Sequence, residues 1–157
     1  MKKLFSAILA TMMLATVLCG CSVKTTVKPE YLDDFADSYA SKKEVDKDGN
    51  VEYEFEKDEY EQFAADYYEE VKEESRLEIV SSGQYSYYNP DITEIIVGVT
   101  PESYEELGEE ALKAEAQSVG EAAMKYQMNL KNPKGELTVT YRNANTAEEY
   151  FTITVTA

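Results

Sequence analysis

Two segments near the C-terminal end of the chain alternate strictly between apolar and polar residues. The apolar positions are Leu137, Val139 and Tyr141 in the first segment and Phe151, Ile153 and Val155 in the second, and threonines fill most positions between them. A period of two is that of a β-strand with one buried face. The two segments therefore predict a hairpin, joined by a loop over 142–148, that covers a core on one side only.

A third segment with the same period lies earlier in the chain. Val51, Tyr53 and Phe55 alternate with glutamates, and an Asp-Gly pair ending at Gly49 precedes them. This pattern predicts a hairpin with a tight turn and with Val45 in its first arm.

A calcium loop is the alternative interpretation of the same turn. It would place Glu44, Asp46, Asp48 and Gly49 at loop positions 1, 3, 5 and 6. Position 12, which holds the bidentate glutamate of such loops, would then be Phe55, so the sequence favours the hairpin turn.

Helical spacing predicts three helices. The first covers Pro29–Ala40, and the second runs from about Lys57 to Arg76, with Asp58 and Glu61 at the spacing of a capping box. Thr100 is expected to cap the third, which continues to about Met128 with Gly108 and Gly120 inside it. Either glycine marks a break or a close approach of another part of the chain.

The order of these elements predicts the fold class. The most apolar run, Ile92–Val99, is rich in β-branched residues and predicts a central strand. Helices and hairpins then alternate along 29–157, which predicts a single α+β domain in two layers. We expect a mostly antiparallel sheet of about four to five strands with two or three helices packed on one face.

Composition excludes several kinds of function. The 157 residues include no histidine and no tryptophan, 31 acidic and 15 basic residues, and two cysteines, Cys19 and Cys21. Histidine-based catalysis, histidine metal sites and a disulfide framework in the domain are excluded, and the net charge of −16 disfavours nucleic acid as a partner. We find no nucleotide-binding or nucleophile motif and expect no enzymatic activity, no cofactor and no metal site; a hydrolase that uses paired carboxylates is an alternative.

The N-terminus predicts where the protein resides. Lys2 and Lys3 precede an apolar run over 4–18, too short to cross a bilayer, as in an export signal. The sequence Leu18-Cys19-Gly20-Cys21 resembles the lipobox of bacterial lipoproteins, although a smaller residue than Cys19 is usual there. The resemblance implies a signal peptide over 1–20, lipidation of Cys21, and attachment to the extracytoplasmic face of the bacterial cell membrane. The segment over 21–28 is then expected to be the lipidated Cys21 and a short polar tether from Ser22 to Lys28. An ordinary secretory signal is the alternative.

The mature domain also resembles a group of proteins. The Val-Tyr-Phe strand, the acidic aromatic helix that begins at Lys57, and the closing threonine hairpin are similar to those of small, uncharacterised lipoproteins of low-GC Gram-positive bacteria. This likeness covers about Val45 to Val155 and implies only fold and location.

The chain contains 13 tyrosines, and three of them, Tyr85, Tyr87 and Tyr88, lie together in a predicted loop from Gly83 to Pro90. Exposed tyrosines suit contact with a ligand or partner, so these three are candidate binding residues. The sequence favours the alternative, a short strand on which Tyr85 and Tyr87 alternate and cover the sheet, because a fold without tryptophan needs tyrosine in its core. The sequence thus predicts a lipid-anchored, non-enzymatic module that binds an envelope protein or peptide, with binding of a small ligand or glycan at these tyrosines as a second hypothesis.

Overall fold

The computed structural model of the chain describes residues 22–79 and 83–157. Within those residues, two short 3₁₀ turns, Pro29–Tyr31 and Phe35–Ser38, accompany seven strands and three α-helices. In chain order these are β1 (Val23–Val27), β2 (Lys42–Val45), β3 (Val51–Phe55), α1 (Lys57–Glu78), β4 (Gly83–Tyr88), β5 (Glu94–Val99), α2 (Pro101–Leu107), α3 (Glu109–Asn129), β6 (Glu136–Asn143) and β7 (Glu149–Thr156).

The strands form two sheets. β1, β3 and β2 lie side by side in that order and are antiparallel, whereas β4, β5, β6 and β7 form a four-stranded sheet in chain order. Neighbours in the four-stranded sheet are antiparallel except β5 and β6, which are parallel because α2 and α3 connect them as a crossover. The predicted α+β class and the mostly antiparallel pairing are confirmed, and the strands are divided between two sheets instead of one.

The segment predicted to be a tether is a strand. All five residues of β1 pair with β3, from Val23 opposite Phe55 to Val27 opposite Val51. Val23, Thr25 and Val27 are buried, while Lys24 and Thr26 between them are exposed. The expectation of a free polar tether up to residue 28 is therefore wrong from Val23 onward, because the two valines and Thr25 supply a buried face.

The helix predicted over Pro29–Ala40 is replaced by the two 3₁₀ turns. The Asp33 carboxylate accepts a hydrogen bond from the backbone N–H of Phe35 at 3.0 Å, which holds a local turn in place of helix geometry. Leu32 is 38% exposed, but the other apolar side chains of the segment are buried or half-buried as the spacing predicts: Tyr31, Phe35, Ala36 and Tyr39. Phe35 stacks on the ring of Tyr67 with 4.8 Å between the ring centres, so this segment still packs against α1.

The hairpin between β2 and β3 is confirmed, and its turn is held by one carboxylate. Asp46 Oδ1 accepts hydrogen bonds from the backbone N–H groups of Asp48 and Asn50 at 2.8 and 2.9 Å. Gly49 adopts a φ of 86°, which favours glycine.

The N-cap of helix α1 lies two residues earlier than the acidic pattern suggested. Glu56 is the N-cap, and the Glu56 and Glu59 side chains each bond the other residue's backbone N–H in a capping box. The spacing of three is the predicted one, but it starts at Glu56 and not at Asp58. Glu56 and Glu59 thus make the reciprocal side-chain to backbone hydrogen bonds that the sequence predicted for Asp58 and Glu61.

The two glycines in the third predicted helix have different roles. Gly108 has a φ of 80° and separates α2 from α3, so it is a break. Gly120 lies inside α3 where the helix crosses the sheet, and a Cβ atom there would lie 2.5 Å from Val155 Cγ2 and 3.3 Å from Val139 Cγ2. Both of the predicted alternatives therefore occur, one at each glycine.

The core lies between the helices and the inner faces of the two sheets. Phe55 of β3 stacks on Phe63 of α1 at 5.0 Å between ring centres, which joins the three-stranded sheet to α1. Tyr126 of α3 contacts the ring of Tyr67 at 5.3 Å and joins α1 to α3. Helix α3 in turn covers β6 and β7 at Gly120, so the four-stranded sheet has its helices on one face.

Candidate functional site

Cys21, the predicted lipidation site, lies outside the described residues. The description begins at Ser22, and β1 begins at Val23. No helix among the residues described is both long enough and apolar enough to span a membrane. Lipidation at Cys21 therefore remains a prediction from the sequence.

The three clustered tyrosines lie on one strand, β4, which confirms the short strand that the sequence favoured over a loop. Tyr85 and Tyr87 are 45% and 52% exposed, whereas Tyr88 is 5% exposed. The alternation of a strand separates them, since Tyr88 points to the opposite face of the sheet from Tyr87. Tyr88 lies in the core, and the candidate binding residues that remain at the surface are Tyr85 and Tyr87.

Tyr85 has a specific place on that surface. It pairs with Gly98 of β5, and a Cβ atom at position 98 would lie 2.2 Å from Tyr85 Cε1. The tyrosine ring thus occupies the space that any other side chain at position 98 would need. An aromatic ring packed over a glycine on the neighbouring strand is a recognised way to stabilise a sheet at such a position.

Tyr87 belongs to a row of residues that crosses the sheet on the face without helices. The register places Tyr87 opposite Ile96, Ile96 beside Thr140, and Thr140 opposite Thr152. The Thr140 and Thr152 hydroxyls are 2.8 Å apart and hydrogen-bond to each other. We call this face of the sheet the open face and define it as Tyr85, Tyr87, Ile96, Thr140 and Thr152, of which Thr140 is buried. Sequence reasoning missed Ile96, because a continuous apolar run predicts a strand that is buried on both faces.

β4 is also an edge strand. Among residues 22–79 and 83–157, β4 pairs with β5 along one edge, and no strand pairs with the other edge of β4. The strand sequence, Gly-Gln-Tyr-Ser-Tyr-Tyr, contains no charge and no proline. Charged residues and prolines commonly protect edge strands from pairing with another chain, and Lys42, Lys43 and Glu44 have this role in β2. β4 lacks this protection at the point where two tyrosines are exposed.

A groove of about 530 Å³ lies close to the C-terminal end of β4, where Pro90 follows the strand. Its lining comes from α1, α3 and the connection between β4 and β5: Ala64, Ala65, Asp66, Tyr68, Glu69, Pro90 and Tyr126. The Tyr68 hydroxyl donates to the Tyr88 carbonyl oxygen at 3.0 Å, and the Tyr126 hydroxyl donates to the Ala64 carbonyl oxygen at 3.3 Å. The Tyr68 hydroxyl therefore links α1 to the end of β4, and the Tyr126 hydroxyl links α3 to α1.

The pKa values of two groups in this groove, Asp66 and Tyr126, are shifted away from neutral pH. Hydrogen bonds from Gln62 and Tyr39 lower the pKa of the Asp66 carboxyl, and burial raises the pKa of Tyr126 to about 12. A general acid or base works best with a pKa near the operating pH, and both groups are displaced away from neutrality.

Pairs of tyrosine and carboxylate recur through the fold and were not predicted. The Tyr53 hydroxyl donates to Asp37 at 2.8 Å, and the Tyr141 hydroxyl donates to Glu115 at 2.7 Å. Burial, with the nearby carboxylate second, raises the pKa of Tyr53 to about 12. These pairs allow tyrosine rings to fill the core while their hydroxyls stay hydrogen-bonded.

Comparisons of the chain with known protein families, with curated proteins and with solved structures found no match.

Proposed function

We propose that this chain is a lipid-anchored protein on the extracytoplasmic face of the bacterial cell membrane, where it binds an extended peptide segment of an envelope protein without catalysing a reaction. The observation that carries the binding role is the position of Tyr85 and Tyr87, half exposed on an uncharged edge strand. The anchor is supported by the lipobox that ends at Cys21.

The edge of β4 offers the backbone groups that an added strand needs. An edge strand presents unpaired N–H and C=O groups, and a peptide in extended conformation can satisfy them by extending the sheet. Such pairing gives affinity through the main chain and leaves specificity to alternate side chains. The added strand would therefore lie next to Tyr85 and Tyr87.

The open face supplies the side-chain contacts. Tyrosine is rigid and amphipathic, and it is enriched among the residues that contribute most to binding. Tyr87 lies directly opposite Ile96, so an apolar side chain of the added strand on this face extends an existing apolar row. Every second side chain of the peptide is expected to be apolar or aromatic.

The charge of the chain selects among partners. With a net charge of −16, the protein attracts basic partners over long range and repels acidic ones. Because β4 itself carries no charge, the long-range attraction raises the rate of association, and the contacts of the tyrosines stabilise the bound complex. We expect association to be faster at low salt with little change in the contacts made.

Crosslinking in living cells tests this role at the residue level. A photo-reactive benzoylphenylalanine replaces Tyr87 in the full-length protein, and the matched control replaces Val45, which is 65% exposed on the edge strand β2 of the other sheet. We expect a crosslinked envelope protein from position 87 and none from position 45. Equal crosslinking at both positions, or none at either, would contradict the proposal.

The crosslinked segment then provides a quantitative test. A synthetic peptide of that segment should bind the wild-type protein, and Tyr87→Ala should weaken binding about tenfold, the effect of a contact of about 1.4 kcal/mol. Val45→Ala should leave the affinity unchanged. Crosslinks to carbohydrate in place of protein would favour the glycan hypothesis at the same tyrosines.

A further inference from the structure

The first strand of the fold begins almost at the predicted anchor. β1 starts at Val23, and every residue of it is paired with β3. Two residue steps separate Val23 from Cys21, and they span at most about 7 Å when fully extended. A domain of this size has a radius of gyration of about 14 Å, so the connection is shorter than the domain is wide.

The end of the three-stranded sheet near the anchor is defined by the register. Val23 lies opposite Phe55 at the end of β3, and the next row joins Lys24, Glu54 and Lys42. Helix α1 starts directly after β3, at Lys57. We call this region, residues 22–24, 41–42 and 54–58, the anchor end.

The opposite end of the same sheet is far from the start of β1. Val27 pairs with Val51, which also pairs with Val45 of β2, and the turn over 46–50 lies beyond them. Four residue steps along a strand cover about 13 Å, so the turn is farther than that from Val23.

Charge also distinguishes the two ends. The anchor end has three lysines, Lys24, Lys42 and Lys57, and three acidic residues. Lys24 Nζ lies 3.7 Å from Glu54 Oε2 within the anchor end, and 2.7 Å from Glu52 Oε1 just outside it. In a chain with twice as many acidic as basic residues, this end is balanced, whereas acidic residues outnumber Lys47 in the turn at the other end. An anionic bilayer surface repels the acidic remainder more than the anchor end.

We infer that the anchor end lies against the lipid headgroups and that the domain is held in one orientation on the bilayer by its short connection. This inference rests on the proposed lipidation of Cys21. The domain is thus seated on the membrane, with the turn over 46–50 directed away from it. The partner of this surface is the bilayer itself.

Two labels on the same sheet test the orientation. The full-length protein is expressed with its own signal, purified in detergent and reconstituted in vesicles of phosphatidylethanolamine and phosphatidylglycerol. In separate variants, Lys57→Cys and Lys47→Cys carry a fluorophore, and lipids with a nitroxide on the headgroup quench it. Both lysines are exposed, and Lys57 is 3.6 Å from an equally exposed Glu61, so neither substitution removes a buried contact.

We expect quenching at position 57 to exceed that at position 47 on the order of threefold, because the two labels differ in height by more than about 13 Å. Inserting ten Gly and Ser residues between Ser22 and Val23 gives a linker with a reach of about 17 Å and should equalise the two labels. Equal quenching without the insertion, or stronger quenching at position 47, would overturn the orientation.

The failure of the anchor and the failure of the orientation have different signatures. The intact mass and flotation with vesicles report the lipid on Cys21. The Cys21→Ser variant should lack the added lipid mass and should not float with the vesicles. A protein that floats but shows equal quenching refutes the orientation and leaves the anchor in place. A protein that carries no lipid and does not float refutes both.

Discussion

The effect of Gly98→Ala on the free energy of unfolding is expected to depend on the residue at position 85. The substitution should destabilise the wild-type protein and stabilise a Tyr85→Ala variant. In the wild type, the new Cβ atom would lie 2.2 Å from Tyr85 Cε1, so the tyrosine ring has to leave its position. In a Tyr85→Ala background the same Cβ meets no ring. The pair therefore forms a double-mutant cycle that isolates one contact on the open face.

The expected size follows from the exposure of Tyr85. The side chain is 45% exposed, so slightly more than half of its surface is covered. A fully buried tyrosine covers about 150–250 Å². About 100 Å² is thus at stake, worth up to ~2.5 kcal/mol at ~25 cal/mol per Å². Alanine in place of glycine inside a strand recovers about 0.5–1 kcal/mol.

The two backgrounds should therefore differ clearly. Gly98→Ala is expected to lower the free energy of unfolding by about 0.5–2 kcal/mol in the wild type and to raise it by about 0.5–1 kcal/mol with Tyr85→Ala. Urea unfolding followed by circular dichroism measures all four proteins, and a coupling of about 1–3 kcal/mol is expected from the cycle. Destabilisation of equal size in both backgrounds would refute the packing of Tyr85 over Gly98.

Three further substitutions test the fold. Gly108→Ala should destabilise by about 1–3 kcal/mol in thermal unfolding although no atom lies within 4 Å of the added Cβ, since φ is 80° and ψ is 153°; a neutral effect would contradict this. The Lys43 ammonium, and the Tyr53 hydroxyl after it, lower the pKa of the Asp37 carboxyl, so this group contributes stability above pH ~4 that is lost as the pH falls further, and Asp37→Asn should flatten that acid limb of the urea midpoint. Gln127→Leu should cost on the order of 3 kcal/mol in urea unfolding because three backbone groups lose its amide, one of them a backbone N–H at 2.6 Å, whereas Gln117→Leu on the exposed side of the same helix should be nearly neutral.

The elements that sequence analysis found share a local signal. The hairpin from Glu136 to Thr156 follows from strict alternation, and the start of α2 follows from Thr100, whose Oγ1 accepts a hydrogen bond from Ser103 N at 3.2 Å. Alternation and caps depend on residues a few positions apart, so they can be read before the fold is known. Gly108 also gives a local signal, but the sequence left open whether it or Gly120 is the break.

The elements that sequence analysis missed depend on distant residues. β1 is five residues long and reads as polar, and it becomes a strand because it pairs with β3, which begins 28 residues after β1 does. The buried Gln127 reads as a surface residue, yet its amide donates to the Glu136 and Ile92 carbonyl oxygens. Both partners lie outside the helix that carries Gln127, so no pattern within the helix reveals the contact.

The candidate binding surface combines both kinds of information. Composition and spacing identified Tyr85, Tyr87 and Tyr88 as a cluster, but their exposure depends on which face of the sheet the helices cover. Backbone preferences over a few residues define many strands, turns and helix ends, so the C-terminal hairpin and the start of α2 could be predicted from the chain alone. The pairing order, the division into two sheets and the choice of open face arise from contacts between segments far apart in the chain, because burial is shared among elements and no single segment specifies it.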